Sequence, residues 1–407
     1  MMGTVKRQLR TLANSLGLQL RLILARRWDN AINICHMGAW SGNMGDSVLL
    51  LGIQQELRRA AGDKPINFFP VNVQLTRVTP WLARVINHKF DLLLIGGGGL
   101  FLHKPESPSR SSWQLDITEL ELDILTIPVV VYGIGYNQFE FTDRLMPDLA
   151  NRVLRHLQTK AALFSVRNRG TREEFIRRGL DPNKITVIPD PAMFVGPKPC
   201  PIPGLDPNKL NIGINLAADR LAWRYPAPAF ETAKAWVMAL GNALKAILAH
   251  HPGQIYYLSH MLKTDAFYTR ILGQILGDKL IVLEDVLPQL FPPTLKLAPC
   301  FVDIYRQMSL VIGMRGHANI IPFGVATPVI AMSSHPKNRF FLEEIGTPEQ
   351  LIDTRYLPDD ATTQHIVQAI ESTLARAEDL KAHYLKRKRE LHQTAQLFNR
   401  QIVALLQ

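Results

Sequence analysis

The sequence predicts a parallel α/β protein built as two domains, and three features predict it. Short apolar runs alternate with amphipathic stretches along most of the chain, as expected of strands buried on both faces and helices that cover them. The alternation breaks once, where Pro197, Pro199, Pro201, Pro203 and Pro207 crowd a stretch of little apolar content, as in a linker. The length of 407 residues exceeds one ordinary core and suits two of moderate size.

Before the linker, residues 31–35 form a first strand, followed by the turn SGNMGD. A helix is expected over 47–61, since Val48, Leu49, Leu51, Ile53 and Leu57 line one side. A buried strand over 91–95 runs into four glycines, Gly96 to Gly99. Residues 119–124 are part of a helix, and a strand over 128–132 ends in Gly133, Ile134 and Gly135. A strand at 162–166 leads into Arg167 and a helix over 171–178, and a short strand at 186–188 stops at Pro189, Asp190 and Pro191. Beyond the linker the pattern restarts: strands at 210–216, 254–259, 280–283, 310–314 and 329–332, helices over 229–250 and 265–276, and a terminal helix from about residue 362. The expected organisation is a basic amphipathic helix over 1–28, an N-terminal domain over 29–196, a linker over 197–209, a C-terminal domain over 210–360 and a C-terminal helix over 361–407.

Cys35, Cys200 and Cys300 lie far apart in sequence with no CxxC pair, which argues against a disulfide framework or a zinc site and suits a reducing compartment. No window holds eighteen uninterrupted apolar residues, so a membrane span is not expected. The formal charge of +11 is concentrated at the ends. Lys6, Arg7, Arg10, Arg21, Arg26 and Arg27 precede the first acid, Asp29, with leucines and Ile23 interleaved at helical spacing. Such a helix either lies on an anionic membrane surface or docks on its own domain with a solvated face. A signal peptide is not expected, because Arg21 interrupts the apolar part and no small-residue cleavage site follows. The basic runs lack interleaved aromatics and any recognition motif, so nucleic acid is not an expected partner.

The stretch from Leu310 to Gly346 is the richest in candidate chemistry. One buried strand stops at Arg315, Gly316 and His317, and a second ends just before Ser333, Ser334, His335, Pro336 and Lys337. Ligands of open parallel sheets bind outside the carboxyl ends of the strands, so neighbouring strands that deliver cations there suit an anion. Arg167 occupies the same kind of position, and its guanidinium can bind carboxylate or phosphate in a bidentate manner. His260 follows another strand end, with Asp265 five residues on. Asn43, Gly45 and Asp46 form the first strand-to-helix turn, where an anion or sugar oxygens could approach; Asp46 is equally suited to capping the helix. The glycine run, including Gly97 and Gly98, is expected to be a loop facing a ligand or a tight interdomain turn. No HExxH, Walker loop, Ser-His-Asp pattern, dinucleotide fingerprint or DxD pair appears.

Together GNMGD, the strand into GGGG, VVYGIG, SVRNRGTREEF and MRGHANIIPFGVATPVIAM resemble the polysaccharide pyruvyl transferase family, from about Asn33 to Gly346. The resemblance implies two Rossmann-like domains in a glycosyltransferase B-like arrangement. It implies transfer of the pyruvyl group of phosphoenolpyruvate onto two hydroxyls of a sugar in a polysaccharide or lipid-linked glycan precursor, forming a ketal and releasing phosphate. Phosphoenolpyruvate would be held by Arg167, Arg315, Gly316, His317 and Lys337. His317, or in second place His260, would handle the proton. The acceptor would face Asn43, Gly45, Asp46, Gly97 and Gly98. No metal and no cofactor beyond the co-substrate is implied, and a cytoplasmic location is expected, with peripheral contact to the inner face of the membrane as an extension. The rival expectation is a glycosyltransferase of the same architecture that uses a nucleotide sugar.

Overall fold

The structure is a computed structural model that describes residues 17, 26–40, 42–103, 109–139, 147–261 and 265–406. Nearly all of the basic helix expected over 1–28 lies outside the described residues.

Two six-stranded sheets organise the chain, and every strand pair in them is parallel. The first contains β1 (Ile32–Gly38), β2 (Ile66–Asn72), β3 (Leu92–Phe101), β4 (Val129–Tyr136), β5 (Leu163–Val166) and β6 (Thr186–Val187) in the order β2-β1-β3-β4-β5-β6. The second contains β7 (Leu210–Asn215), β8 (Gly253–Tyr257), β9 (Leu280–Val282), β10 (Leu310–Gly313), β11 (Val329–Met332) and β12 (Leu351–Ile352) in the order β12-β11-β10-β7-β8-β9. In both, the chain starts inside the sheet and reverses direction across it. The reversal opens a crevice at the carboxyl ends of the strands.

Two strands escaped the sequence pattern. Proline cannot donate to a ladder and is confined to edges, so Pro70 disguises β2, which is an edge strand with Pro70 in register with His36. β12 is two residues long and also lies at an edge. The helix Pro80–Lys89 was likewise hidden, although Thr79 accepts from the Leu82 amide to cap it and Pro80 opens its first turn.

The glycine run corrects an expectation. It is not a loop: Gly96 to Gly99 belong to β3. Gly96 takes φ +141, and a Cβ there would lie 2.0 Å from the Tyr132 carbonyl oxygen. A Cβ on Gly97 would approach Leu49 and Ile53 at 3.0 and 3.1 Å, and one on Gly98 would meet Leu49 at 3.1 Å. The glycines therefore let the helix Met44–Ala61 settle on the sheet. Gly97 and Gly98 are buried beneath that helix rather than presented to an acceptor.

One core lies on a single side of each sheet, and a third runs between the domains, joining Met44 and Ile188 to Phe301, Phe323 and Phe398. The chain between the sheets is clamped within this shared core. The short 3-10 helix Pro191–Phe194 is pressed from one side by Gly52, where a Cβ would lie 2.3 Å from the Pro191 oxygen. On the other side is Gly324, where a Cβ would lie 2.5 Å from the Met193 oxygen. Farther along, the Cys200 amide donates to Asp303 (2.9 Å) and the Lys198 amide to the Pro299 carbonyl (3.0 Å). Cys200 and Cys300, a hundred residues apart in sequence, are neighbours in space; burial first, and then Cys300, push the Cys200 thiol up to about 11. Separation in sequence concealed that proximity.

The C-terminal region contains two helices, Thr362–Ala375 and Ala377–Ala404. The second returns to the N-terminal domain. Tyr132 donates to Asn399 (2.9 Å), and His392 lies 2.8 Å from buried Glu56. Lys388 donates to the Gly324 carbonyl (2.6 Å).

Because the atom facing Gly52 is backbone, Gly52→Ala cannot be absorbed by a rotamer change. It is expected to cost about 1–3 kcal/mol, read as a lower melting temperature in thermal denaturation, whereas an unchanged midpoint would contradict the clamp.

Candidate active site

The carboxyl ends of the two sheets face one another, and each contributes charged groups. On the N-terminal side, Asn43 caps the helix Met44–Ala61 by accepting from the Gly45 amide at 2.9 Å, which leaves Asp46 free in the first turn. Gly45 is a contact rather than a spacer. A Cβ there would lie 2.5 to 2.8 Å from Cβ, Nδ1 and Cγ of His317. Arg167 leaves the end of β5, is 7% exposed, and lies against Gly135, where a Cβ would meet its Nε at 2.3 Å. Asp190 follows β6 and uses Oδ1 to accept from the Ala192 amide at 3.1 Å, capping the clamped 3-10 helix.

From the C-terminal side, β10 is followed by Met314, Arg315 and Gly316, and His317 opens the helix His317–Gly324. Its imidazole crosses to the N-terminal domain. Nδ1 lies 3.7 Å from Asp46 and Nε2 lies 3.4 Å from Asp190. His335 caps the helix Pro336–Ile345 by accepting from the Lys337 amide (3.1 Å), and Lys337 sends its ammonium across to Asn137 (3.2 Å). Between these groups is a narrow cavity lined by Arg167, Asp190, Met193, Gly316, Lys337 and Phe341.

The electrostatics divide the cations into two kinds. Arg315 is committed: it pairs with Asp219 at 2.8 Å and Asp265 at 3.2 Å. Burial lowers its pKa, but the two carboxylates outweigh burial and raise it. Asp219 is held well below the carboxylate range, because Arg224 and Arg315 overcome its burial. The expectation that Arg315 offers a free charge is therefore corrected, since two internal acids already balance it. Arg167 and Lys337 differ. Arg167 has only a loose pair with Asp190 (3.7 Å), and its buried Nη2 finds no acceptor among the described residues. Lys337 is pushed well below the usual lysine value, by burial first and then by Arg167 and Arg224. That is the signature of cations crowded around a place for an anion.

The carboxyls also separate. Burial raises Asp46, although His317 and Lys337 oppose it. Burial also pushes Asp190 upward, but His317 and Arg167 prevail and hold it below the ordinary value. His260 is 1% exposed and 2.7 Å from the Tyr305 hydroxyl. Burial, then Arg315 and His317, drive its pKa well below the ordinary value. Burial of that kind disfavours the imidazolium that its expected reserve role as proton donor would need.

Sequence reasoning brought Arg167, Gly316, His317, Lys337, Gly45 and Asp46 to one crevice, and the structure places them there. Asp190, Asp219 and Asn137 were missed. Asp190 carried a weak signal, an acid between two prolines at a strand end. The contacts of Asp219 with Arg315 and of Asn137 with Lys337 join residues distant in sequence and left none. Among the described residues, no group of three or more His, Cys, Asp or Glu could hold a metal ion, and no helix is long and apolar enough to cross a membrane.

Paired parallel α/β domains with a charged crevice between their strand ends define the glycosyltransferase B-like class. Solved structures agree on the fold. A putative UDP-N-acetylglucosamine 2-epimerase from Listeria monocytogenes superposes with a TM-score of 0.55 at 12% identity, covering 87% of this chain and 91% of that one. The S. aureus protein MnaA, solved with UDP, gives 0.53 at 12% identity, covering 87% and 90%. A glycosyltransferase from Rickettsia africae gives 0.52 at 13% identity, covering 93% and 99%. No curated protein sequence matches the chain. The chain belongs to the polysaccharide pyruvyl transferase family, whose model matches residues 43–336.

An anion entering beside Lys337 favours its charged form. Binding of a phosphate-bearing anion is therefore expected to take up protons in the pH range below the ordinary lysine value where unliganded Lys337 loses its own, measurable by calorimetry across pH in buffers of different ionisation enthalpy. Binding with no net uptake would contradict the crowded-cation description.

Proposed function

We propose that this transferase moves the pyruvyl group of phosphoenolpyruvate onto two hydroxyls of a glycan acceptor, forming a cyclic ketal and releasing phosphate. One observation carries the reading: Arg167 and Lys337, from opposite domains, border one cavity, where Arg167 meets Asp190 only at 3.7 Å and the Lys337 ammonium bonds the neutral amide of Asn137. The donor brings roughly −2.5 to −3 of charge in a carboxylate and a phosphate. Each charge-assisted hydrogen bond is worth about 1.5–3 kcal/mol, so two contribute about 3–6 kcal/mol, a range that brackets the ~4.1 kcal/mol of millimolar binding.

In this reading Arg167 and Lys337 hold the donor's anionic groups, and the backbone at Gly316 allows close approach. Arg315, already balanced, fixes the turn from which His317 starts and keeps only its buried Nε for a donor oxygen. His317 gives a proton to the methylene carbon of the enol, which becomes a methyl group. The adjacent carbon takes a bond from the first sugar hydroxyl, whose proton passes to Asp46, a carboxyl made more basic by burial. The bond from that carbon to the phosphate oxygen then breaks, and phosphate departs against Arg167 and Lys337. The second hydroxyl closes the ring, and its proton leaves with phosphate. The acceptor is a sugar of a polysaccharide or lipid-linked precursor, and the basic N-terminal segment would favour work beside an anionic membrane.

Phosphoenolpyruvate is expected to raise the melting temperature at millimolar levels, while UDP- and CMP-sugars leave it unchanged; the reverse would favour a sugar-nucleotide donor. Arg167→Ala should raise KM for phosphoenolpyruvate about tenfold or more, from the loss of one charge-assisted contact. His317→Ala should lower kcat by about 10²–10⁴-fold, the usual worth of a positioned acid. Gly45→Ala, which displaces the imidazole without removing it, should lower kcat by about tenfold or more. Phosphate release with a diol sugar acceptor measures all three, and full turnover by His317→Ala would sink the assignment.

A further inference from the structure

We infer that Asp190 is a positioning residue that holds the proton-donating imidazole of His317 and the donor-binding guanidinium of Arg167 in one arrangement across the domain boundary. The inference rests on the pyruvyl-transfer reading and adds to it a residue that no motif of the sequence marks.

Three observations carry it. First, Asp190 divides its carboxylate. Oδ1 caps the 3-10 helix, while Oδ2, in a side chain 3% exposed, has no hydrogen-bond partner among the described residues. That oxygen is 3.4 Å from Nε2 of His317 and 3.7 Å from Nη1 of Arg167, just beyond a formed hydrogen bond to either. Burying a carboxylate without strong partners is costly, so its direction toward two site cations needs a reason. Second, the backbone that carries it is fixed from both domains: Gly52 and Gly324 press the following turn at the Pro191 and Met193 oxygens. A carboxylate on such a support aims without rearranging. Third, both groups it faces carry an unsatisfied nitrogen: His317 Nε2, which it approaches directly, and Arg167 Nη2, on the same guanidinium as the Nη1 it approaches, have no hydrogen-bond partner among the described residues. A small closure, or a donor between them, completes the set.

The groups around His317 decide the sign of the effect. Asp46 faces it from the helix Met44–Ala61 and Asp190 from the turn after β6, with Arg167 and Lys337 nearby. His260 and Arg315 stand on its C-terminal side. Arg167, Lys337, His260 and Arg315 thus stand near the ring together with two carboxylates. Of these two, Asp190 is the more reliably ionised, since His317 and Arg167 overcome its burial, whereas Asp46 is raised.

The test compares wild type, Asp190→Asn and Asp190→Glu in phosphate release with phosphoenolpyruvate and a diol sugar. Asparagine retains the oxygen that caps the 3-10 helix, so the fold should hold, checked by melting temperature. Asp190→Asn is expected to lower kcat at least tenfold and to shift the descending limb of the pH profile about one unit toward acid, since an opposite charge within about 4–6 Å favours the charged acid form. Asp190→Glu keeps the charge but displaces it, so kcat falls while the limb stays at the wild-type pH. That variant decides the matter if Asp190→Asn does not fold: a limb moved toward acid would overturn the inference. An Asp190→Asn protein with the wild-type limb overturns the inference alone. A wild type that neither binds phosphoenolpyruvate nor releases phosphate overturns the pyruvyl-transfer reading and this inference together.

Discussion

The site depends on one interdomain contact, the imidazole of His317 seated in the notch left by the missing side chain of Gly45. A helix of the second domain thereby touches the first turn of a helix in the first, and two carboxylates close on the ring from either side. The distances are longer than formed hydrogen bonds, so the ring is surrounded rather than locked. Both carboxylates that face it come from the other domain, whereas its backbone belongs to its own. Neither half of the protein contains the site alone.

The apolar core that runs between the domains supports this arrangement. Parallel sheets need cover on both faces, and the turn between β6 and the linker supplies part of that cover while presenting Asp190. Gly52 and Gly324 allow the backbone to pass closely on both sides. The same logic recurs at the domain boundary at Gly170, where a Cβ would lie 2.3 Å from the Phe340 ring. In each case a glycine is present because a neighbour needs the space, and the neighbour carries or supports a charged group.

Much of this was legible in the sequence. The alternation of strands and helices, the proline-rich break and the cations at strand ends predicted the fold and most of the crevice. Arg167 and His317 were readable because each follows a buried apolar run, where a charged side chain must emerge at the sheet edge. The charge balance was not readable. Arg315 looks identical in sequence whether or not Asp219 and Asp265 reach it, and those pairings depend on loops that converge only in three dimensions. The glycine run misled for a related reason: glycine in a loop and glycine beneath a helix have the same composition. Pro70 hid an edge strand because proline signals a break unless the strand's position in the sheet is known.

The C-terminal helix gives the molecule a mechanical property. The chain crosses between the domains at the linker and again where Tyr132 and Glu56 receive Asn399 and His392. Two bodies joined at two separate points and by a shared core resist twisting and sliding against one another, so the charged groups on the two sides of the crevice are kept in one register.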